Sequence, residues 1–245
     1  MWVKRTPNSN KPFERWLLAS QWEWISMSKA FETWLEIVVI SIVNANPMIK
    51  DTPRWKEREE RYLKLISLWK DKMIPIRMLK DLVEMMQEHH EEKLDILWDM
   101  YMRFVSLWEN GQFFTPPHIA DMMAQMTDTK PWEWERVLDC ACGSWTLLLW
   151  ALKNNPRCRL YWVDLDRRCV MMALLNCFWY WWAWEFIVWN TLTNEYSEWW
   201  ICSYWMIYEI DPDKFKEKIE EVKLTISSGS PKPEQIKELK EQPLF

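Results

Sequence analysis

The sequence predicts an α/β fold: a doubly wound, mostly parallel sheet preceded by an all-helical N-terminal extension. Three observations carry this expectation. Apolar residues recur at three-to-four spacing through residues 1–107, the period of amphipathic helices. From residue 136 short β-rich runs alternate with helix-length runs, the pattern of βαβ units. The 245 residues are 49% hydrophobic and 27% charged, so the chain can bury a real core. We divide it into a helical region 1–107, a sheet domain 108–210 and a charged tail 211–245.

The elements follow in order. Residues 13–46 carry Trp16, Leu17, Phe31, Trp34, Leu35, Val38, Val39 and Ile42 at helical spacing, and Pro47 and Pro53 end the segment. Residues 54–72 resume it with Trp55, Tyr62, Leu65, Ile66 and Trp69, and Pro75 ends that helix. Segments 76–89 and 92–107 read as two more amphipathic helices. Their Glu, Lys and Arg runs are solvated faces, and His89 and His90 are surface histidines. Strands are expected at 136–141, 159–165, 185–189 and 206–210, with helices at 146–155 and 167–180 between the first three. In the tail, 214–223 and 236–240 read as short helices around a Ser/Gly/Pro linker, and no chemistry is assigned to them.

Composition narrows the function. A net charge of −5 leaves any contact with a polyanion to a local patch. No apolar run reaches the roughly 18 residues of a membrane span, and the N-terminus has no signal-peptide pattern. The six cysteines form no CxxC pair and have no His at metal spacing. They read as reduced thiols of a cytoplasmic protein with no metal site. Glycine is scarce: 3 residues against roughly 17 expected at about 7%. Tryptophan is in excess at 22.

Three segments carry the chemistry. Val137-Leu138-Asp139-Cys140-Ala141-Cys142-Gly143-Ser144 runs from a strand into a tight small-residue loop before a helix. Such a loop brings backbone close to a polar ligand, and a side chain there would fill the ligand's space. Trp162-Val163-Asp164-Leu165-Asp166 puts an acid at the next strand end, where a carboxylate can hold ribose hydroxyls. Trp189-Asn190-Thr191-Leu192 ends the third strand in a polar side chain at the same edge. Taken singly, each has a plainer reading. Phe113 and Phe114 are packing aromatics, Asp139 and Asp166 are helix caps, and Asn190 is a turn residue.

Together, and in this order, the segments resemble class I S-adenosylmethionine-dependent methyltransferases, whose fold is Rossmann-like. The specific likeness is to the adenine-N6 DNA methylases related to the modification subunits of type I restriction systems, small phage-type members included. Gly111-Gln112-Phe113-Phe114-Thr115-Pro116-Pro117 is similar to the family's GQFFTP segment, residues 137–148 to its DPACGSGTLL loop, 162–166 to GVDLD, and 189–192 to GNTL. The likeness spans residues 28–210 and includes FETWLEIVVISIVNA and REERYLKL near the N-terminus. It implies S-adenosyl-L-methionine as cofactor. The residues it implies for binding are Phe114, Thr115, Pro116, Asp139, Cys140, Ala141, Gly143, Asp164, Asp166 and Asn190. It further implies a domain for that cofactor at 108–210, DNA as substrate, and a specificity or restriction subunit as partner.

The sequence departs from the family in two ways. No (N/D)PP(Y/F/W) tetrapeptide, whose acceptors activate the target amino group and whose aromatic stacks on the flipped base, follows residue 190. Asp211-Pro212-Asp213-Lys214-Phe215 stands nearest, making Asp211 and Pro212 the candidate catalytic residues. Trp145, Trp162 and Trp189 also stand where the family has pocket-edge glycines, and Trp98, Trp108 and Trp150 at further glycine-like positions. This pattern predicts UGA codons that the gene's own host reads as glycine. Three functions are in play: an adenine-N6 DNA methyltransferase, a methylase-like module that binds cofactor or partner without catalysis, and a methyltransferase acting on protein or RNA. A dinucleotide-dependent dehydrogenase is disfavoured, because the first loop is CxCGSx and not GxGxxG.

Overall fold

A buried helix organises the N-terminal region. Ser26 caps α1 (Met27–Asn44) by accepting the Lys29 N–H at 3.2 Å. The run FETWLEIVVISIVN that follows is apolar on nearly every side, so the helix is enclosed rather than laid on a surface. The structure is a computed structural model that describes residues 26–90, 95–104, 115, 117–126, 136–144, 146–155, 158–180, 183–193, 195–203 and 206–211. Asn46 caps a 3-10 turn at Pro47–Ile49. Thr52 caps α2 (Pro53–Ser67), whose Pro53 falls in the first turn, where its missing N–H costs nothing. α2 stops five residues short of the expected end because Trp69 folds inward and is 1% exposed. α3 (Ile74–Glu88) starts around Pro75, whose carbonyl accepts the Trp34 indole N–H at 3.1 Å. α4 (Ile96–Phe104) and α5 (Pro117–Met126) complete the helices before the sheet. α5 falls outside every segment expected from sequence.

The sheet has five strands: β1 (Arg136–Asp139), β2 (Arg159–Asp164), β3 (Ala183–Asn190), β4 (Glu195–Ser203) and β5 (Met206–Glu209). Helices α6 (Thr146–Asn154) and α7 (Arg167–Trp179) connect the first three. The spatial order is β1-β2-β3-β4-β5, parallel through β3 and antiparallel after it. This corrects the expected doubly wound, mostly parallel sheet. Among the described residues the strand order never reverses, and the sheet is mixed. The physical reason is the short connection after β3. Asn190 accepts the N–H groups of Leu192 and Thr193 at 3.1 and 3.2 Å, which turns the chain into a hairpin instead of a crossover. The βαβ half of the expectation stands, and β4 is a strand not foreseen.

One sheet face carries Leu160, Trp162, Phe186, Val188, Trp200 and Cys202 into a single core with α1, α3, α4, α6 and α7. Trp162 is fully buried there and stacks on Phe186 across the β2–β3 pair, centroids 5.6 Å apart. Placing Trp162 at the edge of a ligand pocket is therefore corrected: alternation along β2 turns its indole into the core.

Buried charge ties the helices to the sheet. Glu36, 5% exposed within α1, pairs with Arg61 of α2 and, at 3.1 Å, with Arg167 of α7. Arg167 reaches on to Glu198 of β4 at 2.6 Å. Arg58 of α2 meets Glu209 of β5, also at 2.6 Å. A buried carboxylate is tolerated only when paired in this way. Residues 26–209 belong to one compact unit, and Ile210 and Asp211 open a second, 210–245.

Candidate functional site

Because β1, β2 and β3 are parallel, their carboxyl ends reach one edge of the sheet. Asp139, Asp164 and Asn190 are the last residues of these strands. The register staggers them. Asp139 lies opposite Trp162 and Asp164 opposite Val188, so each polar residue stands two positions beyond its neighbour, about 7 Å at the usual strand rise.

The loop after β1 is fastened to the end of β2. Cys142 N–H donates to the Val163 carbonyl at 2.9 Å. Gly143 N–H donates to Asp164 Oδ2 at 2.8 Å, and Asp166 N–H to Asp164 Oδ1 at 2.8 Å. Ala141 N–H donates to Asp139 Oδ1 at 3.1 Å. Gly143 has φ 57°, the left-handed region that a Cβ disfavours. The loop is held from below by a residue that sequence reasoning missed, Asp95. It accepts the Trp98 N–H at 2.9 Å, the buried Ser144 hydroxyl at 2.5 Å, and the side-chain amide of buried Asn176 at 2.9 Å. The signal was present as an Asp directly before an apolar helix.

The edge is electronegative. Burial pushes the Asp139 carboxyl above its ordinary range, and Asp164 adds to the rise. Burial likewise raises Asp164, and the charge of Asp166 adds to it against the opposing Gly143 and Asp166 N–H bonds. Burial also pushes the Cys142 thiol well up, so it is an inert packing group beside exposed Cys140.

This donor set selects its ligand. The N–H groups of Ala141, Cys142 and Gly143 are all engaged within the protein, and carboxylates surround them, so the edge repels phosphate. A carboxylate has about four lone-pair positions. Asp164 accepts the Gly143 and Asp166 N–H groups, and the Leu165 N–H also acts on it, leaving an acceptor for a ligand hydroxyl and a field that favours a cation. Among the described residues no group of His, Cys, Asp and Glu is arranged to hold a metal ion, and no helix is long and apolar enough to cross a membrane.

The remaining candidates are placed as follows. Asp166 caps α7, accepting the Arg168 N–H at 2.9 Å, and its carboxylate pairs with the Arg168 guanidinium at 2.8 Å. Asn190 sits at the edge with its side-chain oxygen engaged in the β3–β4 turn. Thr115 is half-buried ahead of α5, and exposed Cys140 and Ala141 lie in the β1 loop. Phe114, Pro116 and Pro212 lie outside the described residues, as does Trp145, and Asp211 belongs to the second unit. Trp189, half-buried at the end of β3, keeps a buried indole N–H with no hydrogen-bond partner among the described residues.

The family model for N-6 DNA methylases matches residues 92–198, a span from before α4 to within β4 that contains all three strand-end residues. Searches of curated proteins and of solved structures each returned no match.

Proposed function

The chain is a member of the N-6 DNA methylase family through residues 92–198, and from that premise we propose that it transfers a methyl group from S-adenosyl-L-methionine to adenine N6 in DNA. The observation that carries the proposal is the acidic strand edge, with the Gly143 loop clasped to Asp164 and the Ala141, Cys142 and Gly143 N–H groups already engaged. Asp164 would hold the ribose hydroxyls, Asp139 the cationic methionine end, and Asn190 the adenine side, and Phe114, Thr115 and Pro116 are the further candidates for the cofactor. The cofactor supplies an electrophilic methyl on a sulfonium. The chain's own task is to bind it, exclude water and offer acceptors to the target amino group, for which Asp211 and the Pro212 carbonyl are the candidates. DNA is then the substrate, and a specificity or restriction subunit the partner that supplies target choice. Six free thiols, five of them buried, accord with a reducing, cytoplasmic setting.

A second reading is favoured by one feature. Asp211-Pro212-Asp213-Lys214-Phe215 lacks the second proline and the adjacent aromatic of the adenine-methylase tetrapeptide, so the chain would bind the cofactor and act through interaction. Ultraviolet crosslinking of methyl-tritiated cofactor followed by peptide mapping tests the shared premise. Label on peptides spanning 139–144, 164–166 or 190 supports it, and label confined elsewhere contradicts it.

A further inference from the structure

We infer that the turn between α2 and α3 is the surface that grips the DNA backbone. The inference rests on the proposal that the chain acts on DNA, and it starts from charge. A chain of net charge −5 with an acidic site edge cannot hold a polyanion at that edge, so the cations must be gathered elsewhere. Residues 50–80 hold ten Lys and Arg against five Asp and Glu, a local +5.

Structure sorts those cations. Arg58 is spent on Glu209 and Arg61 on Glu36, and the helix-α7 arginines Arg167 and Arg168 are spent on Glu198 and Asp166. What faces solvent is concentrated at the turn. Lys64, Lys70, Lys72, Arg77 and Lys80 are all exposed; Arg77 lies 3.4 Å from Asp71 and Lys80 3.6 Å from Glu84, solvent-exposed pairs that a phosphate can displace at little cost. Lys64 lies in the last turn of α2 and Arg77 in the first turn of α3, so these positions are contiguous through the connecting segment. Trp69, 1% exposed in the core, anchors that segment, so the lysines project from a fixed turn. Exposed Leu68 and Met73 stand on either side of Lys70 and Lys72. Single apolar side chains inside a basic surface can meet sugar and base edges.

The test uses the full chain and a variant carrying Lys64→Gln, Lys70→Gln, Lys72→Gln and Lys80→Gln. Binding to a fluorescent 30-base-pair duplex is followed by anisotropy across salt concentrations. Vesicles of phosphatidylserine and phosphatidylcholine serve as a second polyanion. Calorimetry with S-adenosylhomocysteine and thermal melting report on the rest of the fold. Losing four phosphate contacts flattens the log–log salt slope by about 3.6. With unchanged cofactor binding and melting, that result supports the proposal. An unflattened slope in a well-folded variant overturns it and leaves the methylase reading standing. Loss of vesicle binding alone, with DNA binding intact, assigns the turn to a membrane surface and also overturns it. If the unmodified chain binds no duplex although it binds S-adenosylhomocysteine, the DNA reading itself fails.

Discussion

Replacing Asp164 by Ala separates the two duties assigned to one carboxylate. Its oxygens accept the Gly143 and Asp166 N–H groups at 2.8 Å each. Losing an acceptor from a partly buried N–H costs about 1–3 kcal/mol, and relief of repulsion with Asp139 and Asp166 offsets part of the pair. A net loss of about 2–4 kcal/mol is expected, read as a lower urea midpoint at unchanged slope. Asp164→Asn offers one oxygen in place of two, turns an amide toward the second N–H, and is expected to fall between the parent and Ala. Affinity for S-adenosylhomocysteine is a separate readout. Two hydrogen bonds to a charged acceptor are worth about 3–6 kcal/mol together, so binding weakens by a factor on the order of 100 or more. An Asp164→Ala chain with parental stability refutes the clasp. One with parental affinity refutes the ribose role.

Three further outcomes are expected. Gly143→Ala places a Cβ at φ 57° and should cost about 1–2 kcal/mol, measured by denaturation, with weaker S-adenosylhomocysteine binding; no change would mean the loop tolerates the side chain. The raised carboxyls Asp139 and Asp164 weaken the folded state when ionised. Their stabilising contribution is full below the ordinary value near 3.8 and lost as pH rises through the raised one. Acidification toward that range should therefore stabilise the parent relative to a variant with both residues changed to Asn and widen the parent's advantage, while ligand affinity falls; parallel pH profiles of the two chains would contradict this. Trp189→Phe removes a buried indole N–H that has no partner among the described residues and is expected to raise stability by about 1 kcal/mol, whereas a destabilised variant would show that the indole N–H is satisfied.

Residues close in sequence were the legible part. The strand–loop–helix of 136–154, the acid ending β2 and the polar end of β3 are each written within a few residues, so motif and periodicity suffice. Strand order is decided by pairing between distant segments. The segment at Asn190 was expected only to end a strand in a polar side chain, whereas Asn190 accepts the Leu192 and Thr193 N–H groups and makes a hairpin turn. β4 escaped notice because Trp199 and Trp200, adjacent in sequence, are both buried, which erases the alternation that marks a half-buried strand. Trp162 was aligned with a pocket glycine, although strand parity with Leu160 places it in the core. Asp95 is marked locally only as a helix cap; its bonds to Ser144 and Asn176 join distant segments, which a local pattern cannot carry.

The tryptophan excess has a structural counterpart. Among the described residues Trp69, Trp98, Trp179, Trp184 and Trp189 each bury an indole N–H without a hydrogen-bond partner. Unsatisfied buried donors are uncommon in native proteins, which accords with glycine being the residue meant at such sites as 98 and 189. UGG codons at 145, 162 and 189 would end that reading.

Incubating the full chain with methyl-tritiated S-adenosylmethionine and unmethylated DNA, then digesting to nucleosides, tests the central claim most directly. Label co-eluting with N6-methyladenosine's deoxy form, abolished by Asp164→Ala, is the predicted result. Absence of label across several DNAs, in a chain that binds S-adenosylhomocysteine, would contradict methyl transfer and leave a binding module.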